Sequence, residues 1–234
     1  MSDTVVYQVA TAAYIAGYAL GFLLFGLLWI RLFFPGSFSL RSRVAWPSVT
    51  LGALCMLLTL RIQVPIQSWI NGKGASLGWS FWLVGSLLVL TSGVVQEALK
   101  AIGIAVVRVP VGWDVDWRSL GLGIGLGFGV WEAWQLVAWP LGLGRLWSPV
   151  AVLERFSAIG LHIGLAALIA YGFSNRRVLP FTALAAVLHA VCNFSVLLYQ
   201  QWLIGFWAVE VYILVVSLAT LFLAGKLWSR ARQH

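Results

Sequence analysis

The residues of this 234-residue chain that could do chemistry are few and sit in unusual places. Glu97, Lys100, Glu132, His162, His189 and Glu210 all fall inside long apolar stretches, together with the amides Gln96 and Asn193. A charged group in hydrocarbon costs about 2.5–3.5 kcal/mol, so such residues face the interior of a helix bundle. Their types matter as much as their number. Glutamate and histidine are the ligands and bases that metal-assisted or water-activating hydrolysis requires. Spacing adds to this. His189 and Asn193 stand four apart, as do Phe128 and Glu132, which places each pair on one helix face. Glu97 and Lys100 are three apart and can pair, which lowers the cost of burying either.

The elements that must position these groups are transmembrane helices. Hydrophobic residues make up 61% of the chain and charged residues 9%, with a mean hydropathy of +0.93. A soluble domain carries about 25% charged residues, because its surface faces water. Seven apolar stretches can be marked off, at Val5–Ile30, Val44–Leu60, Trp79–Val106, Ser119–Leu141, Val150–Phe173, Leu179–Tyr199 and Leu203–Ala224. A bilayer core needs about 20 helical residues, so the second stretch is short and the first and third are long. The expected fold class is therefore all-α: a polytopic transmembrane helix bundle of about seven spans, forming a single integral membrane domain over residues 1–234. The joint around Gln200 and Gln201 reads as the tightest. Between Arg61 and Leu77, Pro65 and the run Asn71-Gly72-Lys73-Gly74 suggest a loop that could carry a short interfacial helix at Ile66–Ile70.

Charge distribution sets an expected orientation. Arg31, Arg41, Arg43, Arg108, Arg118, Arg176, Arg177, Lys226, Arg230 and Arg232 fall on one side of the membrane; Arg61, Lys73, Arg145 and Arg155 fall on the other. By the positive-inside rule the N-terminus is outside, the C-terminus is cytoplasmic, and the protein belongs in an inner, cytoplasmic-type membrane. The net charge of +8 then calls for anionic lipid headgroups and for no nucleic acid. Trp29, Trp46, Trp79, Trp117, Trp147, Trp202 and Trp228 lie near span ends, as an interfacial belt should. The first span, preceded by Asp3 and no basic run, reads as a retained anchor. Cys55 and Cys192 lie within apolar spans, where thiols behave as small hydrophobes. Gly121, Gly123, Gly125, Gly127 and Gly129 resemble a phosphate-binding loop only superficially, because apolar residues separate them and no strand precedes them. On a helix, Gly121, Gly125 and Gly129 make a small-residue stripe for close packing.

On this topology, Glu97, Glu132, His162 and His189 lie about 14 to 20 Å from the cytoplasmic edge, at a rise of about 1.5 Å per residue. Two acids and two histidines from four helices thus share one layer. The sequences around them carry a family resemblance. Gln96-Glu97-Ala98-Leu99-Lys100 and Gly127-Phe128-Gly129-Val130-Trp131-Glu132 resemble the first two motifs of the PrsW and YhfC intramembrane metalloproteases, which are distantly similar to CAAX-prenyl-protease and abortive-infection membrane proteins. Glu154-Arg155-Phe156 through His162-Ile163-Gly164-Leu165 resembles YhfC in particular, and His189-Ala190-Val191-Cys192-Asn193 resembles the final motif. The resemblance implies a buried polar cavity near the cytoplasmic leaflet. It implies Glu97 as the water-activating acid, and Glu132, His162 and His189 as metal-binding or oxyanion-stabilising groups, with Zn2+ as the metal. It further implies that Asn193 orients a polarised carbonyl or the neighbouring histidine.

One residue departs from the pattern: Gln96 stands where relatives of the PrsW and CAAX-protease type commonly carry a second acid. Glutamine can hydrogen-bond but cannot act as a base. Three functions follow as expectations: a peptidase cutting a membrane-embedded or juxtamembrane peptide, a catalytically inactive accessory subunit of a larger membrane complex, or a haem- or chlorin-binding protein using the histidines. Other roles stay open. Glu154 and Arg155 are either boundary charges or an organising pair. Glu210 reads as a helix-to-helix hydrogen-bonding group, and Cys192 as packing rather than a ligand.

Overall fold

The computed structural model describes the backbone of residues 3–111, 116–142 and 149–231, and side chains within 16–109, 116–136 and 152–231. Among the described residues seven helices follow one another: α1 (Asp3–Phe33), α2 (Ala45–Leu77), α3 (Phe81–Val111), α4 (Trp117–Gly142), α5 (Pro149–Ser174), α6 (Val178–Gln200) and α7 (Phe206–Arg230). No strand occurs among the described residues. Among the described residues, α1, α2, α3, α5, α6 and α7 contain stretches long and apolar enough to cross a membrane. The chain is an integral membrane protein built as an all-helical bundle. Arg145, Trp147 and Arg232, and the side chain of Asp3, lie outside the described residues.

The outer helices show why the composition is so apolar. On α1, Leu20, Leu24, Leu28 and Leu32 are exposed at four-residue spacing, while Phe22, Trp29 and Ile30 on the other faces are buried. On α7, Val211, Val215 and Phe222 are exposed, while Val209, Ile213 and Leu221 are buried. Both faces are hydrophobic because one packs on protein and the other meets lipid.

α4 has a different part. Leu120, Leu122, Ile124, Leu126 and Phe128 are all fully buried, and the helix packs against α1, α2, α3 and α5. Its glycines let the surrounding helices approach closely. Gly121, Gly125 and Gly129 face α5. A Cβ at Gly125 would lie 2.7 Å from the His162 carbonyl oxygen, and one at Gly129 would lie 3.1 Å from Ile159 Cα. Gly123 and Gly127 form a second stripe against Ser48 and the Val49 backbone of α2. Both approaches are too close for any side chain.

Two expectations are corrected. Residues 61–77 are not a loop: α2 runs unbroken through Pro65 to Leu77, making the stretch expected to be short the longest helix, at 33 residues. Proline forfeits one backbone hydrogen bond there. Packing on α3 compensates, since Gln67 Nε2 donates to the Leu88 carbonyl at 3.1 Å, Ile70 is buried and Gly74 sits against Val84. The turn falls instead at Gly78, which takes φ 65°, with Trp79 N–H bonded to the Gly74 carbonyl at 2.9 Å. Nor is the α6–α7 joint the tightest. Residues 78–80 and 175–177 make shorter connections than 201–205.

The glycine stripe yields a stability prediction. Gly125→Val must push α5 away and should cost about 1–3 kcal/mol or more. Gly21→Ala on α1, where nothing lies within 4 Å, should be neutral or slightly stabilising. Thermal unfolding of the two variants in detergent distinguishes them, and equal behaviour would contradict the packing described.

Candidate functional site

The site is assembled from four helices, and small residues set how closely they meet. On α3, Gly93 lies one turn before Glu97, and a Cβ there would sit 3.2 Å from the Ala190 nitrogen of α6. That approach brings His189 to Glu97. On α4, Gly125 and Gly129 admit the backbone of α5, and that approach brings His162 to Glu132.

A continuous chain of hydrogen bonds results. His189 Nδ1 lies 2.7 Å from Glu97 Oε1, and the same oxygen accepts from Lys100 Nζ at 2.6 Å. Lys100 Nζ also lies 2.8 Å from His162 Nδ1, and His162 Nε2 lies 2.8 Å from Glu132 Oε2. Beyond Glu132, Arg155 Nη1 stands 3.9 Å from the same carboxylate oxygen and its Nη2 pairs with Glu154. Glu154 and Arg155 therefore act as an organising pair. Glu97 and Lys100 are fully buried, and His162 and His189 are 2% and 3% exposed. The Phe128 ring packs against His162, with centroids 5.0 Å apart.

Glu97, His162 and His189 each offer a ligand atom, and these atoms all lie within 4.8 Å of one another. Donors on a tetrahedral zinc with bonds of about 2.1 Å stand about 3.4 Å apart, so modest side-chain movement closes the set. Glu97 Oε2 is buried and has no hydrogen-bond partner among the described residues. One carboxylate with two imidazoles is a donor set that suits catalytic zinc. Glu132 stands one bond further out, behind His162, where a carboxylate can orient the imidazole.

The amides form a separate group. Gln96 Nε2 donates to Ser92 Oγ at 3.0 Å and to Gln63 Oε1 at 3.2 Å, while its Oε1 is buried without a partner among the described residues. Asn193 Nδ2 donates to Ser92 Oγ at 3.3 Å, so Asn193 is turned toward Ser92. The sequence reading missed Ser92 and Gln63. Ser92 could have been found, standing one turn before Gln96 on α3. Gln63 could not, because the stretch after Leu60 was taken for a loop. Glu210 is buried on α7 and takes no part in the chain of bonds. A cleft of about 510 Å³ between α2, α3 and α4 is lined by Gln63, Gln96, Glu132 and Gln135. Leu60 and Leu136, also on its wall, are 39% and 52% exposed on the outer surface of the bundle.

Fold and site together define a polytopic helical membrane protein with a buried carboxylate–imidazole cluster, beside a flanking cleft that Glu132 and Gln96 line. Comparison with known proteins agrees with that class. Residues 142–213 match the family described as YhfC intramembrane metalloprotease. The uncharacterized membrane protein YhfC of Bacillus subtilis (strain 168) is 42% identical over 69 residues, which is 30% of this chain and 26% of that protein. The match thus spans about a quarter of the relative's length. The family match includes His162, His189, Asn193 and the Glu154–Arg155 pair; Glu97 and Glu132 lie upstream of it. No solved structure matches the chain.

The buried ion pair makes a measurable prediction. Glu97→Gln strands the Lys100 ammonium and Lys100→Met strands the carboxylate, so each should cost about 3–5 kcal/mol. The double variant should cost clearly less than the two losses added, because neither charge remains. Denaturation of all four proteins in one detergent closes the cycle, and strict additivity would mean the pair is not coupled.

Proposed function

We propose that this protein is an intramembrane hydrolase, most simply a peptidase acting on a membrane-embedded or juxtamembrane peptide. The observation that carries the reading is the buried Glu97–His162–His189 set, whose ligand atoms lie within 4.8 Å of one another, with one carboxylate oxygen left open. The YhfC match over residues 142–213 supports it at the level of the family.

In this reading His162, His189 and Glu97 hold a Zn2+ ion, with Glu132 fixing the orientation of His162. When bound, the metal supplies Lewis acidity toward a peptide carbonyl and makes a water more acidic. Glu97, by the carboxylate oxygen that the metal leaves free, accepts the proton of the attacking water and later returns it to the leaving amine. The buried site excludes bulk water, so donors and acceptors act at low dielectric. Gln96 takes no proton. Its open carbonyl oxygen, with Gln63 and Gln135 along the cleft, binds the backbone of an extended substrate entering from the lipid side. Asn193 steadies that strip through Ser92. The cluster faces the cytoplasmic half of an inner membrane, with the N-terminus outside and the basic helix ends against anionic headgroups.

Gln96 also supports a second reading, an inactive descendant that serves as an accessory subunit. The two separate in one experiment. Cells expressing the wild type or Glu97→Gln, at equal folded protein levels, are compared by mass spectrometry of membrane-peptide termini. Loss of a general base costs about 10²–10⁴-fold, so termini made by a hydrolase should vanish in the variant. Identical termini, together with stoichiometric co-purification with a complex, would replace the hydrolase by the subunit.

A further inference from the structure

The cluster already contains a cation where a metal ion would have to go. An ammonium only donates, so with Lys100 Nζ at 2.8 Å His162 Nδ1 is the accepting nitrogen. His162 then carries its proton on Nε2 and donates it to Glu132 at 2.8 Å. A carboxylate only accepts, so His189 donates from Nδ1 to Glu97 Oε1, leaving the lone pair on its Nε2. Two donors are therefore free for a metal, His189 Nε2 and Glu97 Oε2. The third, His162 Nδ1, is taken by Lys100, and so is part of Glu97 through Oε1 at 2.6 Å.

We infer that the Lys100 ammonium and a divalent cation are alternative occupants of one position between Glu97 and His162. This inference rests on the metal-dependent reading given above. Without metal, Lys100 neutralises Glu97 and holds the ligands apart; a metal enters only as Lys100 leaves His162. The Phe128 ring centroid already lies 4.5 Å from Nζ, so the ammonium has a cation-binding contact that does not depend on His162. Lys100 is in this sense a positioning residue, and the metal-free protein never leaves a bare carboxylate in hydrocarbon.

The test measures metal binding rather than peptide cleavage. Apparent affinity falls by the fraction of molecules that are binding-competent, so if Lys100 holds the position in nine molecules of ten, removing it should tighten Zn2+ binding about tenfold. Calorimetric titration of detergent-solubilised wild type, Lys100→Met, Lys100→Gln and Lys100→Arg with Zn2+ reads this. Met and Gln should bind more tightly and Arg should not. Wild type supplies a check that needs no variant to fold. Lys73, Lys100 and Lys226 are the only lysines, so an ε-15N-lysine spectrum has three side-chain signals, and Zn2+ should move that of Lys100 selectively. If wild type binds Zn2+ with the Lys100 signal unmoved, or folded Lys100→Met binds no more tightly than wild type, the exchange is wrong and the metal site stands. If neither wild type nor any folded variant binds Zn2+, the metal-dependent reading fails and the exchange fails with it.

Discussion

A carboxylate held away from water needs compensating charge and hydrogen bonds, and the contact between Glu97 and Lys100 is where this protein meets that need. The two groups lie 2.6 Å apart and are both fully buried. Desolvation of such a pair offsets much of its Coulombic attraction, so stability alone is a poor reason to keep it. What the pair does is organise its surroundings. Lys100 fixes the accepting nitrogen of His162, His162 in turn donates to Glu132, and Glu132 meets Arg155. On the other side Glu97 fixes His189. Donor and acceptor alternate along the chain, so each group is compensated by its neighbours rather than by solvent.

That chain of bonds tolerates little error in helix position, which explains the glycines. A hydrogen bond of 2.8 Å between α4 and α5 fails if the helices separate by the width of a side chain. Gly125 and Gly129 remove that width next to His162, and Gly93 does the same next to His189. The small residues and the polar residues are thus two halves of one design, the first setting the distance and the second using it. It also explains the burial of α4, which meets other helices on its flanks and admits them at its glycines.

Much of this was legible in the sequence because hydrocarbon makes polar residues conspicuous. Glu97, Glu132, His162 and His189 stood out as costly groups in apolar stretches, and counting residues along each span placed them in one layer. The stripe Gly121, Gly125, Gly129 was legible for the same reason of periodicity. What could not be read was which atoms meet. A layer does not say that Glu132 bonds His162 rather than facing the other ligands, or that Lys100 touches a histidine as well as its own neighbour Glu97. The continuation of α2 through Pro65 was hidden because local turn signals were overridden by packing on α3, and Gln63 was hidden with it. Asn193 was expected beside a carbonyl or histidine, but four-residue spacing fixes only its face, and Ser92 on a different helix decides where its amide points.

The sequence match and the geometry bear on different parts of the chain, and their agreement is informative for that reason. The family match runs from residue 142 to 213, so it supplies His162 and His189 on α5 and α6 but neither Glu97 nor Glu132. Those acids come from α3 and α4, and only the fold relates them to the matched segment. A histidine pair kept for packing would have no need of them. Yet each histidine receives an acid from outside the matched segment, Glu97 for His189 and Glu132 for His162, at 2.7 and 2.8 Å. Unpaired imidazoles in a membrane interior could have been satisfied more simply by backbone carbonyls or serines, as Ser48, Thr59 and Ser217 are. The use of a buried carboxylate, a half-buried one and a buried lysine points to a site built around charge rather than packing alone.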